Sequence, residues 1–276
     1  MTSHLDKTTA FRALHAPGSL LVLPNAWDAA TARLAEDAGA AAVATTSAGV
    51  AWSLGAPDGD HLGRDLAAGL VARVVAAVAV PVTADVEGGY APDPAGVAQT
   101  VRAIAGAGAS GINLEDGDGA GLRDTGEQVE RIAAAREAAT AAGVPLFVNA
   151  RTDVYLRAVG DPATRLGVTL DRAAAYLAAG ADGIFVPGVA DPETIAALAA
   201  GIDAPLNIMA GPGSPTVPDL AKLGVVRVSV GAAIALSAYA HAARGMREVL
   251  TTGTYDSLAS DLDYGRMNGL LGKLQE

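Results

Sequence analysis

The chain of 276 residues contains no cysteine. This absence excludes disulfide bonds, thiolate zinc sites, and cysteine as a nucleophile or proton donor. Basic residues are also scarce, since 19 Lys and Arg stand against 30 Asp and Glu and leave a net charge of -11. Nucleic acids and anionic membrane surfaces are bound by clustered basic side chains, so we expect neither as a partner.

Long hydrophobic runs are missing as well. Apolar residues make up 51% of the chain, but they occur in short runs, whereas a membrane span needs about 20 consecutive apolar residues. Residues 1–16 carry Asp6, Lys7 and Arg12 and lack the continuous apolar segment of a signal peptide. We therefore expect no membrane span, no secretion signal and a cytoplasmic location.

Four segments share one pattern, which is an Ala-rich helix, a glycine and a short apolar strand with polar residues at its end. They are residues 35–47, 104–116, 177–188 and 220–231, and their glycines are Gly39, Gly108, Gly180 and Gly224. A glycine at this place can end a helix in the left-handed conformation without a Cβ clash. Each segment is therefore predicted to pass from a helix into a strand.

Four further apolar runs raise the number of predicted strands to eight, namely residues 20–24, 82–85, 146–151 and 205–209. Strands buried on both faces of a parallel sheet are continuously apolar, as these mostly are. Eight alternating units predict a (β/α)8 TIM barrel. A doubly wound open sheet is the alternative, but it usually carries a Gly-rich loop after its first strand, where this chain has Asn-Ala-Trp-Asp at 25–28.

No linker or shift in composition divides the chain, so residues 1–276 are predicted to form one barrel domain with C-terminal helices from about residue 232. The end of the chain is apolar for a free tail, with Leu258, Leu262, Leu270, Leu271 and Leu274. We expect it to pack on the barrel or on a neighbouring subunit.

The active site of such a barrel lies at the carboxyl ends of its strands. The polar residues at the predicted strand ends are Asn25, Asp28, Thr45, Thr46, Ser47, Asp85, Glu87, Glu115, Asp116, Asn149, Arg151, Asp153, Asn207 and Ser229. The four histidines, His4, His15, His61 and His241, lie elsewhere and are predicted to be surface or helix residues. A histidine-based zinc site is therefore not expected.

Asp85 and Glu87 stand two residues apart at one strand end, and Glu115 ends the next strand. Converging carboxylates repel and raise one another's pKa, whereas an oxygen-binding cation such as Mg²⁺ or Mn²⁺ removes that cost. The pattern predicts a metal site. The alternative is that these acids cap helices or pair with Lys and Arg.

Arg151 is the one guanidinium among these acids, and its planar fork suits a substrate carboxylate. The alternative is a structural salt bridge to Asp153 or Glu115. The hydroxyls and amides of residues 45–49 could bind a carboxylate or an oxyanion, although Ser and Thr are also common helix caps. The Gly-Pro-Gly-Ser-Pro stretch at 211–215 is either a rigid turn or a ligand-facing loop.

At these positions the chain, from about residue 20 to residue 237, resembles the isocitrate lyase and phosphoenolpyruvate mutase superfamily. The matching motifs are LPNAWD at 23–28, TSAG at 46–49, GAPD at 55–58, ADVEGGY at 84–90, NLED at 113–116 and NARTD at 149–153. Several motifs in order at the right strand ends are much more specific than any one of them.

The resemblance implies Mg²⁺ (or Mn²⁺) bound by Asp85, with Glu87, Glu115 and Asp58 helping directly or through water. It implies a small 2-oxo acid or dicarboxylate substrate and an enolate intermediate. The substrate-binding candidates are Trp27, Thr46, Ser47, Ala48, Gly49, Asp85, Arg151 and Asn207, and the catalytic candidates are Glu115, Arg151, Tyr90 and Arg123. A homo-oligomer, either a dimer or a tetramer in which a C-terminal helix packs on a neighbour, is implied as well.

The chain departs from the lyase pattern after its fourth strand. The lyases carry a Lys-Arg-Cys-Gly-His type of loop whose cysteine is taken as the acid, whereas residues 117–125 are GDGAGLRDT. Asp118, Arg123, Asp124 and Tyr90 are the candidate replacements for that acid. The glycine-rich stretch 117–121 could still act as a mobile gate that excludes water.

Two further departures concern the substrate. Pro187 and Gly188 stand where the family has a glutamate at the end of strand six, and Glu87 replaces the second aspartate of an Asp-x-Asp pair. These departures argue against binding of a second carboxylate in the way that isocitrate is bound. The sequence predicts a Mg²⁺-dependent lyase or hydrolase that cleaves a carbon-carbon bond in a small 2-oxo or 2-hydroxy dicarboxylic acid. The alternatives are a phosphonopyruvate-type carbon-phosphorus enzyme and a 2-oxo-acid binding protein without turnover.

Overall fold

A computed structural model describes residues 3–16, 18–119 and 121–272, which form a ring of parallel strands surrounded by helices. The strands are β1 (Leu21–Leu23), β2 (Asn25–Ala26), β3 (Val43–Thr45), β4 (Val82–Asp85), β5 (Gly111–Glu115), β6 (Phe147–Arg151), β7 (Gly183–Val186), β8 (Leu206–Met209) and β9 (Arg227–Ser229). The helices are α1 (His4–Ala13), α2 (Ala29–Asp37), α3 (Ser47–Ser53), α4 (Arg64–Ala77), α5 (Pro94–Gly106), α6 (Thr125–Ala141), α7 (Arg165–Ala178), α8 (Pro192–Gly201), α9 (Val217–Lys222), α10 (Ala233–Thr251) and α11 (Tyr264–Gly272).

β1 and β2 are the two halves of a single barrel strand, divided at Pro24. A proline has no backbone N–H and cannot donate to a strand ladder. On one side of Pro24, β1 pairs with β9, and on the other side β2 pairs with β3. The ring closes through this divided strand, and its pairings are parallel. The predicted (β/α)8 barrel is confirmed, and a doubly wound open sheet is excluded.

The four glycines predicted to end helices all adopt the left-handed conformation, with φ between 88° and 103° at Gly39, Gly108, Gly180 and Gly224. Gly108 also allows a close approach, since a Cβ there would lie 2.9 Å from Val75 Cγ1. These turns direct each following strand into the barrel, and so they place the polar residues of the strand ends at one mouth.

A layer of polar side chains fills the barrel just below this mouth. Asn149 Nδ2 donates to Asn113 Oδ1 at 2.9 Å and to Asn207 Oδ1 at 3.1 Å. Arg227, which is buried, donates from Nη2 to Asn113 Oδ1 at 3.1 Å. Burial lowers the pKa of Arg227 to about 9, while nearby Asp85 acts in the opposite direction. This layer is the floor of the candidate site.

The C-terminal segment extends along the outside of the barrel. Leu270 of α11 is buried, and its carbonyl accepts a hydrogen bond from Arg33 of α2 at 3.0 Å. The expected packing on the barrel is thus found for Leu270, whereas Leu274 lies outside the described residues. In the described part of the chain, no helix has both the length and the hydropathy needed to cross a bilayer.

Candidate active site

The carboxyl ends of three neighbouring strands bring an arginine and three acids together. Arg151, at the end of β6, lies opposite Glu115 of β5 in the sheet register. Its Nη1 is 2.7 Å from Glu115 Oε2 and 3.8 Å from Asp85 Oδ2. The other side of the guanidinium forms two hydrogen bonds with Asp153, in which Nε donates to Oδ1 at 2.6 Å and Nη2 donates to Oδ2 at 3.1 Å. The guanidinium is therefore enclosed by carboxylates.

The structural salt bridges that the sequence left as an alternative for Arg151 are both present, to Asp153 and to Glu115. Arg151 nevertheless also lines the main cavity. Burial alone would lower the pKa of Arg151, but Glu115, Asp153 and Asp85 together raise it. The side chain remains a cation and holds the acidic cluster together.

Glu87 enters the cluster from a left-handed backbone conformation, with φ 52°. Its Oε2 accepts hydrogen bonds from the amides of Gly59, at 2.8 Å, and Asp60. Its Oε1 is buried and has no hydrogen-bond partner among the described residues. Burial raises the pKa of Glu87 to about 7, the Asp60 amide opposes this rise, and the charges of Asp58 and Asp85 add to it.

The pKa values of Asp85 and Glu115 are raised as well. Burial raises the pKa of each carboxyl, and the neighbouring Arg151 only partly offsets this rise. With Asp153, the cluster contains four carboxyl groups of low exposure, and the charge of the exposed Asp58 acts on Asp85 and Glu87. Arg151 and Arg157, which also pairs with Asp153 at 3.1 Å, supply two positive charges against them. Such an excess of acid over base favours either protonation or a bound cation.

The acids are not already arranged as a coordination sphere. Within residues 3–16, 18–119 and 121–272, no three His, Asp or Glu side chains are grouped closely enough to share an ion. The oxygen donors nevertheless suit a hard divalent cation, and Glu87 Oε1 is a buried oxygen with an unused acceptor. The residues present therefore fit Mg²⁺ or Mn²⁺ in chemistry and charge, provided that the side chains turn towards a common point.

A cavity of about 490 Å³ opens beside the cluster at the mouth of the barrel. Five of the predicted substrate-binding residues line it, namely Thr46, Ser47, Ala48, Asp85 and Arg151. Asp58 lines it as well, together with Asn25, Asn113 and Ser229. The main cavity thus brings hydroxyls and amides together with Asp58, Asp85 and Arg151.

The other three predicted substrate contacts do not line this cavity. Gly49 packs inward, where a Cβ would lie only 2.8 Å from Trp27 Cβ. Trp27 itself faces Tyr239 of α10, with ring centroids 6.3 Å apart. Asn207 belongs to the floor and donates to Ser229 Oγ at 3.2 Å. These residues shape the wall and the floor of the cavity.

Tyr90 and Arg123 support the loops around the cluster. Arg123 Nη1 donates to the carbonyl oxygens of Glu115, at 3.3 Å, and Gly117, at 2.6 Å. The amide of Tyr90 donates to Asp60 Oδ1 at 3.1 Å. Burial, and then the charge of Glu87, raises the pKa of the Tyr90 hydroxyl. Neither side chain lines the main cavity.

A smaller cavity of about 390 Å³ adjoins the other side of the cluster and is lined by Glu87, Glu115, Arg151, His61 and Gly119, among others. His61 was predicted to be a surface or helix residue because it does not end a strand. Its position three residues after Asp58 was the signal that could have placed it here. The structure therefore adds one imidazole to the surroundings of the acids.

Asp118 and Asp124, two of the candidate proton donors, accept hydrogen bonds from the backbone. Asp118 Oδ1 accepts from the Gly121 amide at 2.9 Å, and Asp124 caps α6 through the Gly126 amide at 2.8 Å. The loop is also tied down by Arg157, whose Nη1 donates to the Gly119 carbonyl at 2.9 Å.

The fold and the site define a class, which is a (β/α)8-barrel protein with a cavity and a buried acidic cluster at its carboxyl-terminal mouth. The family model described as phosphoenolpyruvate phosphomutase matches residues 11–250. The chain belongs to this family, within the phosphoenolpyruvate mutase and isocitrate lyase superfamily.

Individual relatives cover most of the chain. An uncharacterized protein of Mycobacterium tuberculosis H37Rv is 40% identical over 87% of this chain and 89% of its own length. The oxaloacetate decarboxylase of Pseudomonas savastanoi pv. phaseolicola is 30% identical, over 83% of this chain and 78% of its own. A crystal structure from Burkholderia cenocepacia J2315 is 45% identical, with a TM-score of 0.84 over 88% of this chain and 99% of that one.

A structure of 2,3-dimethylmalate lyase is 26% identical, with a TM-score of 0.84 over 97% of this chain and 95% of that one. The family model and the relatives of this chain thus come from lyases and mutases of one superfamily. Together they support its assignment as an enzyme of the carbon-carbon lyase type, whose exact reaction they leave open.

The raised pKa of Glu87 predicts a pH-dependent gain in stability for Glu87→Gln. A raised pKa means that the folded protein binds the proton more strongly than the unfolded chain does. Wild-type stability from this group is therefore lost as pH rises from about 4.5 through about 7. The Gln side chain carries no charge. At pH 8 the free energy of unfolding of Glu87→Gln should therefore exceed that of the wild type by up to roughly 3 kcal/mol.

Urea unfolding of both proteins with a chelator present, at pH 8 and again at pH 4.5, measures this difference. The gain should nearly vanish at pH 4.5, and the exposed Glu193→Gln should show no gain at either pH. A gain of equal size at both pH values would contradict the account.

Proposed function

We propose that the chain is a Mg²⁺- or Mn²⁺-dependent enzyme that cleaves a carbon-carbon bond in a small 2-oxo or 2-hydroxy dicarboxylic acid through an enolate. The observation that carries the proposal is the excess of buried carboxylates around Arg151 beside a cavity at the barrel mouth. Relatives named oxaloacetate decarboxylase and 2,3-dimethylmalate lyase support this reaction class.

Asp85, Glu87, Glu115 and Asp58 are the residues that would hold the cation. When bound, it would supply Lewis acidity to the substrate oxygen and neutralise the charge of the acids. Arg151 would then exchange part of its contact with Glu115 for the substrate carboxylate, while its paired bonds to Asp153 keep it in place.

The residues at the start of α3 bind the substrate carboxylate in this proposal. Thr46 and Ser47 line the cavity with Ala48, and the Thr46 hydroxyl makes no capping bond to α3. A hydroxyl and the first amides of the helix are suited to an anion, because helix amides at this end lack intrahelical partners.

Proton transfer is assigned to groups that face the smaller cavity. Glu115 faces it and lies beside Arg151, but as a proposed ligand of the cation it would be ionised, so it could accept a proton and would not be the donor. His61 lines the smaller cavity and takes the place of the absent cysteine as the candidate acid. Tyr90 and Arg123 are positioning residues, since they fix the loops that carry Glu87, Glu115 and Gly117.

The proposal predicts that Mg²⁺ will be required for turnover and that Asp85→Ala will lower kcat/KM by about a thousandfold. The reason is that a cation stabilises the enolate charge by several kcal/mol, and each 1.4 kcal/mol is a factor of ten. Products from oxaloacetate, 2-methylisocitrate, 2,3-dimethylmalate and phosphonopyruvate would be identified by mass spectrometry. Asp65→Ala, on the exposed part of α4, is the matched control.

Pyruvate or oxalate released from a carbon substrate, dependent on the metal, supports the proposal. Phosphate released from phosphonopyruvate would favour carbon-phosphorus chemistry instead. Tight binding of pyruvate or oxalate without any turnover would favour a 2-oxo-acid binding protein.

We also propose that the chain is a homo-oligomer, either a dimer or a tetramer, that uses α10. This helix exposes an apolar stripe at helical spacing, formed by Tyr239, Ala243, Met246 and Leu250. Leu250 is 84% exposed and Met246 is 66% exposed. A repeat of three and four residues is the pattern of a helix that packs against another helix. A second copy of this chain, presenting the same stripe, is the occupant that we propose.

Light scattering coupled to gel filtration tests this arrangement. Wild-type protein should have the mass of a dimer or a tetramer, and Leu250→Asp should shift it towards the monomer. Leu5→Asp on the exposed face of α1 is the control and should leave the mass unchanged. A monomeric wild-type protein would refute the proposal.

A further inference from the structure

The loop that carries Glu87 has a disfavoured backbone conformation. This loop, residues 86–91, follows β4 and is called the acid loop below. Glu87 and Tyr90 adopt the left-handed region, with φ 52° and 51°, although neither is a glycine. Gly89 lies between them with φ 100°. Because residues with a Cβ rarely adopt this conformation, contacts from outside the loop must hold it.

The two glycines of the acid loop allow close packing on both of its sides. A Cβ on Gly88 would lie 2.5 Å from Asp60 Oδ2 and 2.7 Å from Arg123 Nη2. A Cβ on Gly89 would lie 2.9 Å from Val97 Cγ2 of α5. The acid loop thus fits between the neighbouring loops and α5 with little free space.

Arg131 of α6 bonds to the backbone of the acid loop at two points. Its Nη2 donates to the carbonyl oxygen of Gly88 at 2.5 Å and to that of Ala91 at 2.8 Å. Gly88 directly follows Glu87, and Ala91 directly follows Tyr90. One nitrogen of Arg131 therefore holds the chain beside both left-handed residues.

The burial of Arg131 indicates that its role lies in this loop. Its side chain is fully buried, and its Nε and Nη1 have no hydrogen-bond partner among the described residues. Taking a guanidinium out of water is costly, and an apolar side chain of similar size often stabilises a protein as well or better. The hydrogen bonds that Arg131 makes within the described part of the chain both go to the acid loop.

Thr100 of α5 bonds to the same loop from a second helix. Its side chain is buried, and its Oγ1 donates to the carbonyl oxygen of Gly89 at 2.7 Å. Gln128, which is buried three residues before Arg131 on α6, donates from Nε2 to the carbonyl oxygen of Glu115 at 3.1 Å. Buried donors on two adjacent helices thus contact the backbone that carries two acids of the cluster.

We propose that Arg131 and Thr100 are positioning residues of the candidate cation site. They hold the acid loop in the conformation that brings the Glu87 carboxylate into the acidic cluster. Neither side chain lines the main or the smaller cavity, so both act through the backbone of the loop. The inference rests on the proposed function, because that function makes Glu87 a ligand of the cation.

Calorimetric titration with Mn²⁺ tests the role of Arg131. Arg131→Met keeps a long unbranched side chain but has no donor, so we expect the affinity for Mn²⁺ to fall by about 10- to 100-fold. Arg131→Lys should restore most of the affinity, because one nitrogen makes both carbonyl bonds and an ammonium group carries three donors. Wild-type affinity in Arg131→Met, or no recovery in Arg131→Lys, would overturn the inference.

Arg136→Met, on the same helix, is the matched control. Arg136 donates to the carbonyl oxygens of Gly180, at 2.9 Å, and Leu146, at 3.0 Å. These residues precede β7 and β6, at the opposite end of the barrel from the acids. The control should lower the melting temperature and leave the affinity for Mn²⁺ at its wild-type value. An equal loss of affinity in Arg136→Met would count against a specific role of Arg131.

Thr100→Val is a second variant, and it decides the matter if Arg131→Met does not fold. It keeps the shape of the side chain and changes no charge, but it removes the bond to the Gly89 carbonyl. The affinity for Mn²⁺ should fall in the same direction as in Arg131→Met, by a smaller factor. Wild-type affinity in Thr100→Val would contradict the assignment.

Amide hydrogen exchange in the absence of metal separates this inference from the proposed function. The amide of Gly59 donates to Glu87 Oε2 at 2.8 Å, so its exchange reports the position of that carboxylate. Exchange at Gly59 and in the acid loop, followed by mass spectrometry, should be faster in Arg131→Met and unchanged in Arg136→Met.

The two possible failures are then distinct. A wild-type protein that binds no Mn²⁺ removes the proposed function, whereas faster exchange in Arg131→Met still supports the positioning of Glu87. Unchanged exchange in Arg131→Met would overturn the inference even where the wild-type protein binds Mn²⁺.

Discussion

The structure of the barrel mouth depends on one guanidinium that is shared by several buried carboxylates. Arg151 contacts Glu115 and Asp153 closely and Asp85 at longer range, and these acids come from strand ends or the residues just after them. A buried ion pair is strongly destabilised when one partner is removed. The acids are therefore fixed by Arg151, with Arg157 as a second partner of Asp153 at 3.1 Å. These two guanidiniums carry less charge than Asp85, Glu87, Glu115 and Asp153 together, and this excess is the origin of the proposed cation site.

The loops of the mouth are held by two further acids, the buried Asp116 and the exposed Asp60. Asp116 accepts the Tyr176 hydroxyl at 2.8 Å, Arg172 Nη1 at 3.1 Å and the Asp153 amide at 2.9 Å. Asp60 accepts the Tyr90 amide and lies 4.0 Å from Arg123. The frame around the cluster is thus held by charge-assisted hydrogen bonds, which keeps the reacting groups in place while only the cluster itself needs to rearrange.

The sequence predicted the barrel and its acidic mouth because both follow from local patterns. The strand over residues 82–85 was predicted with the bounds that the structure shows, and the helix-ending glycines were placed correctly. Parallel strands then bring their carboxyl ends to one mouth, so Asp85, Glu115 and Arg151 could be grouped without coordinates.

Some surroundings of the predicted residues depend on tertiary contacts, for which the sequence offers little local signal. Pro24 divides the first strand, which continues into Asn25 and Ala26. His61 is exposed, as predicted, but its loop also brings it to the smaller cavity. Gly49 and Trp27 pack against each other and do not line the main cavity. Phe185, Val189 and Met209 line the main cavity from separate strands and loops, so their proximity appears only once the barrel closes.

The central claim is that the excess of buried carboxylates at Arg151 is a site for a divalent cation. Its most direct test is a calorimetric titration of the purified protein with Mn²⁺ at pH 6.5, in two buffers that differ in ionisation enthalpy. The account predicts one site per chain whose binding releases protons, because burial keeps Glu87 and Glu115 partly protonated at this pH. Absence of binding, or binding without proton release, would contradict it.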